Sequence, residues 1–454
     1  MKTDKNYLHV ALFVLFLGTA PLAAQQQILT LAEAVSRALA HNPELAIDAP
    51  AQDAARSEIA ASRAGYLPRV DFEQSLTAGN NPVYVFGTLL TQRRFTEANF
   101  SLASLNTPDP VKNLQSRVTG QETIWDFGRT GERVAAARLG LELADRSHDE
   151  HVNQVLLAVY DAYYAVSLAG SALETARTSL QSAESIVKQA QARVDSGLAV
   201  EADLLRSQVY LASARQQEIE ARGRLEIARA ALNRIMGSPL DAPFGETAQL
   251  SPVSLPLPAE DSLLARQHER RPDYQRMSTE VRRAELEARS RKADFLPTLG
   301  AFGSWEVDNP SLDNYGGNNW IAGLSLRWNI FAGGADAAQL RAARQRLEQS
   351  ERRLAALESS MALELHQALI QVRSAEQQVE AMRTAETQSQ ESLRILQNRY
   401  EAGLAAMTDL LSAETARAAA RTALAEAIYR YRVSYAQLEF AAGTLSPTST
   451  AMIH

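Results

Sequence analysis

His148-Asp149-Glu150-His151 is the one short run whose residue types suit metal chemistry. Two imidazoles three apart share a helix face, a workable spacing for two ligands of a divalent cation. No third ligand is evident, and a solvated helix surface is the plainer account of the run. Cysteine is absent from all 454 residues, which removes thiolate metal sites, cysteine nucleophiles, disulfides and Cys acylation together. The remaining histidines are scattered, no Gly-rich phosphate loop occurs, and no Ser/His/Asp arrangement stands out. The expectation is a protein that is no enzyme, with no catalytic site, no metal and no cofactor.

With no chemistry to position, the chain must be read for its architecture. It carries 46 Lys+Arg against 53 Asp+Glu, a formal charge of -7 and 46% hydrophobic residues. That composition supports a large core and argues against nucleic acid as a partner, since no basic block offsets the acidic balance. Lys2 and Lys5 precede an apolar run from Val10 to Leu17, and Ala20 to Ala24 supply a small-residue exit before Gln25. This is a secretory signal pattern over residues 1–24, so the chain is exported. Beyond it nothing approaches the ~20 uninterrupted apolar residues of a membrane-spanning helix.

The exported part is written twice. Arg63, Leu67 and Pro68 are answered by Arg291, Leu296 and Pro297, and Asn42-Pro43-Glu44 by Arg271-Pro272-Asp273, with the two Leu-Pro pairs 229 residues apart. Further on, IWDFG (Ile124 to Gly128) aligns with IFAGG (Ile330 to Gly334), and RVDSGL (Arg193 to Leu198) with RYEAGL (Arg399 to Leu404), both at an offset of 206. The change of offset places 23 additional residues in the first copy, between Pro68 and Trp125. The expected organisation is a first repeat over 25–245, a second over 246–446 and a tail at 447–454.

Prolines divide each copy, because a proline inside a helix costs about 3 kcal/mol. None occurs from Val111 to Ser238 or from Ser311 to Ser446. The pattern predicts helices over about Thr130 to Asp195 and Glu201 to Met236, broken at Ser196-Gly197, and over about Ala335 to Glu401 and Thr408 to Phe440, broken at Gly403. At ~1.5 Å per residue the longer arms reach roughly 100 Å. Shorter helices over Glu44 to Ala64 and Asp273 to Ala293, stacked end to end with the return arms, would equalise the lengths.

Extended segments lie between each Leu-Pro and the next long helix. Trp320, Ala322, Leu324, Leu326, Trp328 and Ile330 alternate with a more polar set, and Leu299, Ala301, Trp305 and Val307 share one face. In the first copy Val70, Phe72 and Leu76 alternate with Arg69, Asp71, Glu73 and Ser75, with a partner strand around Arg117 to Trp125. Strands of this length with one apolar face suit a transmembrane β-barrel, a soluble sheet being the alternative. Four strands cannot close a barrel, so the barrel must be shared: three chains give twelve strands, and the sequence also permits two or four chains. The fold class expected is mainly α with a small β part.

In order and duplicated spacing, the segments LTLAEAVSRALAHNP (Leu29 to Pro43), Leu67-Pro68, IWDFG, RYEAGL and AQLEFAAGTL (Ala436 to Leu445) resemble the TolC-like outer-membrane efflux family. The resemblance spans nearly the whole exported chain. It implies a homotrimeric 12-stranded barrel in the outer membrane, continued by a periplasmic α-helical tunnel. It implies a passive exit duct of a tripartite efflux or type I secretion system, partnered by a periplasmic adaptor protein and an inner-membrane pump or ATPase. A periplasmic adaptor and a structural coiled-coil envelope protein are the alternatives. The first is disfavoured by two hairpins without lipoyl-like Gly patterns, the second by the alternation at Trp320 to Ile330.

The resemblance also places the hairpin tips, Gly197-Leu198 and Gly403-Leu404, at the periplasmic entrance, where adaptors dock and the tunnel closes. Asp203 and Asp409 each lie six residues past a tip glycine, and symmetry between copies would make either a ring of carboxylates. By the same resemblance Tyr400 hydrogen-bonds Asp203 across neighbouring hairpins in the closed state. Ala405 and Ser412 stand where the family places a basic and a second acidic residue, so closure here is expected to be looser. The alternative is that each Asp starts its return helix or stays solvated on its face. Arg93, Arg94 and Phe95 of the inserted segment are expected at the outer mouth or folded into the lumen.

Overall fold

The computed structural model describes residues 28–453, and the expected signal segment lies outside the described residues. The proline-free stretches form two helical hairpins: α5 (Arg129–Asp195) returns through α6 (Glu201–Ile235), and α9 (Ala335–Glu401) through α10 (Met407–Ala441). These bounds fall within one residue of those expected. The descending helices each hold 67 residues and the return helices each hold 35, so α6 and α10 cover only half of the rod beside them. The rest is covered by α2 (Asp48–Arg63), which packs on α5, and by α8 (Pro272–Ala293), which packs on both α5 and α9.

The end-to-end joints are built by the duplicated residues that precede Pro43 and Pro272. Asn42 donates from Nδ2 to the last α6 carbonyl, Ile235 O, at 2.8 Å, and its Oδ1 accepts from the Glu44 and Leu45 amides. Arg271 donates to Ala441 O at 3.2 Å, where Gln267 adds a second donor at 2.9 Å, and is held by Asp273 and Glu364. Ile235 and Ala441 are themselves 206 residues apart. Different side chains therefore cap the same otherwise unpaired carbonyl in the two copies. Because Asn42 captures two amides, the chain makes a 3-10 turn at Leu45–Ile47, and α2 begins at Asp48 rather than at the expected Glu44.

The main core lies at the level of these joints. It gathers α1 (Leu31–His41), Val155 to Val166 of α5, Leu365 to Ala375 of α9, the ends of α6 and α10, and α11 (Thr450–Ile453). The Tyr163 hydroxyl crosses it, donating to Leu29 O at 2.8 Å and accepting from the Ala248 amide at 3.0 Å. The two crossing segments also pair directly through a parallel bridge, Leu29 with Thr247. Another helix in this region, α7 (Glu260–Arg270), carries Gln267 to its joint.

The helices α2, α5, α8 and α9 join one end of a four-stranded antiparallel sheet ordered β1 (Arg69–Gly79), β2 (Val111–Trp125), β3 (Thr298–Asn309) and β4 (Gly317–Arg327). The expected alternation holds. Val70, Phe72, Leu76, Trp305, Trp320, Leu324 and Leu326 lie on one face and are exposed, while Asp71, Glu73, Gln115, Arg117 and Glu306 lie on the other. Two bounds differ from expectation. β2 begins at Val111, and β4 ends at Arg327, because the Trp328 indole turns to donate to Phe295 O at 3.1 Å. Trp328 and Ile330 thus lie past the strand. In one chain β1 and β4 are free edges.

Asn42→Ala should lower thermal stability by about 1–3 kcal/mol, leaving Ile235 O unpaired. Arg271→Ala should cost more, about 3–5 kcal/mol, because Asp273 and Glu364 lose a largely buried cation. Circular-dichroism melts of the detergent-solubilised protein check both, and equal or negligible losses would contradict the joint.

Candidate gate and docking site at the helical tips

Both hairpins turn by the same device. At the end of α5 the Gly197 amide donates to Val194 O at 2.9 Å and the Leu198 amide to Arg193 O at 2.8 Å. At the end of α9 Gly403 donates to Tyr400 O at 3.0 Å and Leu404 to Arg399 O at 2.7 Å. This paired pattern closes a helix through a left-handed residue. Gly197 and Gly403 take φ of 70° and 72°, a conformation glycine adopts without the Cβ penalty. A Cβ at Gly197 would meet nothing, and one at Gly403 only the Arg193 guanidinium at 3.6 Å, so the requirement is conformational. Leu198 and Leu404 are 72% and 69% exposed, pointing away from the chain.

Behind the turns the two hairpins are bonded to each other. Ile186, Ala190, Leu204, Leu393, Met407, Leu410 and Ala413 form a separate apolar cluster around Tyr400, which is only 6% exposed. Arg193 closes this cluster from the first hairpin, lying over the Tyr400 ring at 4.9 Å and donating to Tyr400 O at 2.8 Å. Burial pushes the Tyr400 phenol up, Arg193 opposes this, and Asp203 adds to it.

The expected gate residues separate into different jobs. Asp203 lies close enough to act on Tyr400, and it pairs with Arg206 at 3.6 Å. Within one chain Arg193 holds Tyr400, through its ring face and its carbonyl. Asp409 is exposed and accepts from the Ala406 amide at 3.3 Å, so one of its oxygens caps α10. Arg193 carried no role in the sequence, because its motif partner Arg399 makes only a long contact to Leu404 O.

Two carboxylates, Glu414 and Asp48, also escaped sequence reading. Glu414 is 4% exposed on α10; burial pushes its carboxyl up, opposed by Arg417 and a hydrogen bond with Ser182 of α5. It in turn adds to the burial that pushes Tyr210 up to about 12. The His148 and His151 pair is not the freely solvated surface expected. Both Nδ1 atoms face the buried Asp48 carboxylate of α2, at 3.0 and 2.7 Å, so the run fastens α2 to α5. Among the described residues no cluster of metal-ligating groups forms.

A family model described as "Outer membrane efflux protein" matches residues 34–238 and 263–444. The chain belongs to the outer membrane efflux protein family. It is 26% identical over 435 residues to the alkaline protease secretion protein AprF of Pseudomonas aeruginosa, covering 92% of this chain and 85% of that one. It is also 26% identical to protein CyaE of Bordetella pertussis, over 87% of this chain and 80% of that one. Among solved structures, the Campylobacter jejuni CmeC outer membrane channel superposes with a TM-score of 0.79 at 16% identity, covering 93% of this chain and 87% of that one. The mainly helical fold with a small sheet is the fold of these channels. As a member of this efflux family, the protein is an outer-membrane channel that extends into the periplasm, and not an enzyme.

Glu414 gives a pH test of the inter-hairpin packing. Its folded pKa lies above the ordinary 4.5, so the native state keeps a proton that the unfolded chain releases. Stability attributable to Glu414 is therefore present below pH 4.5 and lost as pH rises through the folded value. Glu414→Gln should melt higher than the parent at pH 7 and equal to it near pH 4. Equal melting at both would remove Glu414 from the packing.

Proposed function

We propose that this protein is the exit duct of a tripartite efflux or type I secretion system, three copies closing a twelve-stranded barrel above a common helical tunnel. The observation that carries the reading is the sheet. One face is apolar and bare, the other polar, both edges are unpaired, and rods of roughly 100 Å stand on one end. An adaptor or an envelope spacer has no use for such a sheet. The repeats at 25–245 and 246–446 supply matching strand pairs and hairpins, so three chains offer six near-equivalent tips.

The tips are assigned as the docking and closing element. Leu198 and Leu404 are bare apolar knobs suited to a periplasmic adaptor protein, with an inner-membrane pump or ATPase beyond it supplying the energy. Arg193, clasping Tyr400, is the tie whose release separates the hairpins, while Asp203 and Asp409 keep carboxylate charge at the entrance. The relative named for alkaline protease secretion favours a polypeptide cargo over a small solute.

Recovery from the outer-membrane fraction as a detergent-dependent trimer tests the duct, and release as a monomer by buffer alone would refute it. In planar bilayers Arg193→Ala should raise conductance several-fold and Asp409→Ala less, because Asp409 is partly spent on its helix. Unchanged conductance in both would move the gate elsewhere. Gly403→Glu should abolish export with trimers intact, whereas normal export would remove this tip from docking.

A further inference from the structure

The 31 residues between Gly79 and Val111 do not loop outward from the sheet. α3 (Pro82–Thr91) leaves the far end of β1, and the chain after it crosses the polar face to reach β4. Thr91 O accepts from Asn319 Nδ2 at 3.3 Å, and Arg93 donates to both oxygens of Asn318, at 3.0 and 2.9 Å. A Cβ on Gly317 would lie 2.1 Å from Thr91 O, so β4 carries glycine where this crossing presses against it. α4 (Leu102–Asn106) then leads back toward β2.

The crossing is pinned by a buried polar network. Gln92, 1% exposed, donates from Nε2 to Lys112 O at 2.8 Å and to Asn113 Oδ1 at 2.9 Å. Asn113 donates to Asp308 Oδ1 at 2.6 Å, and Asp308, fully buried, also accepts from Gln115 at 3.0 Å and Asn319 at 3.3 Å. Asn113, Gln115 and Asp308 share the face that also carries Arg117 and Glu306. Buried amides and a carboxylate joined this fully are costly to part and hold a single arrangement. The segment also carries its own aromatic cluster, Phe86, Phe95 and Phe100 packing edge to face at 4.8 and 5.1 Å. Val83, Leu90, Phe100 and Leu102 remain exposed on it.

Resting on the barrel reading above, we infer that this segment is a plug on the lumen wall that sets the size limit at the barrel's outer end. Twelve strands about 4.8 Å apart and tilted about 40° enclose a circle roughly 24 Å across. A helix with its side chains is about 10 Å thick. Three copies against the wall leave an opening of only a few ångströms at that level, rimmed by apolar side chains. Passage of a large cargo requires the Gln92–Asn113–Asp308 clasp to yield, so these residues, not the helical tips, limit what enters or leaves at the outer face.

The absence of cysteine allows a test from outside that bypasses the tips. Thr119→Cys puts a thiol on the polar face of β2, deeper than the plug. Intact cells expressing the full chain are treated with an impermeant small maleimide and with a polyethylene-glycol maleimide of several kilodaltons. The plug predicts reaction with the small reagent only. It further predicts a gain of tenfold or more in labelling by the large one when residues 82–108 are replaced by a short Gly-Ser turn, or when Gln92→Ala and Arg93→Ala are combined. Equal labelling by the large reagent with and without these changes overturns the plug. Failure of the small reagent to react in any of them overturns the barrel reading and the plug with it.

Discussion

The unpaired backbone along β1 and β4 governs everything else in this molecule. A strand edge left bare in hydrocarbon costs several kcal/mol for each orphaned N–H or C=O. The apolar face of this sheet nevertheless has no other environment that suits it. Four strands are too few to curl round and meet, so the polar face becomes an interior only when further copies join. The long rods inherit that requirement, since they stand on the sheet and are carried into the same ring.

Within one chain the corresponding problem is matching lengths. α6 and α10 stop halfway along α5 and α9, and each stops at a carbonyl that would otherwise go unpaired among apolar side chains. Asn42 in one copy and Arg271 with Gln267 in the other occupy that spot, and the main core is assembled around them. The amide does this without charge. The guanidinium does it with two carboxylates in attendance, which ties the second joint to α9 through Glu364.

Much of this was legible from residue types. Proline-free stretches marked the rods to within a residue, and the repeated glycines marked their turns. The alternation at Val70, Phe72 and Leu76 or at Trp320, Ala322 and Leu324 marked the bare face. What stayed hidden was contact across sequence distance. Asp48 lies 100 residues before His148, and nothing in the run around the histidines announces it. Arg193 and Arg399 occupy equivalent places in RVDSGL and RYEAGL, yet only the first reaches across to the other hairpin. The stretch from Asn80 to Pro110 read as an insertion because its anchors, Asn113, Asp308 and Asn319, sit on three different strands.

The equality of the two rods has a consequence for how such a chain can change. Adding one residue to α5 would swing every side chain beyond it by about 100° and displace its end by about 1.5 Å. Leucines that pack would face water, and the two tips would no longer be level. A compensating residue in α6 would restore the partner's height but not agreement with α9 and α10. Growth or shortening of this tube is thus possible only by concerted edits of whole turns in four helices at once, which makes its reach across the periplasm far harder to alter than the composition of its walls.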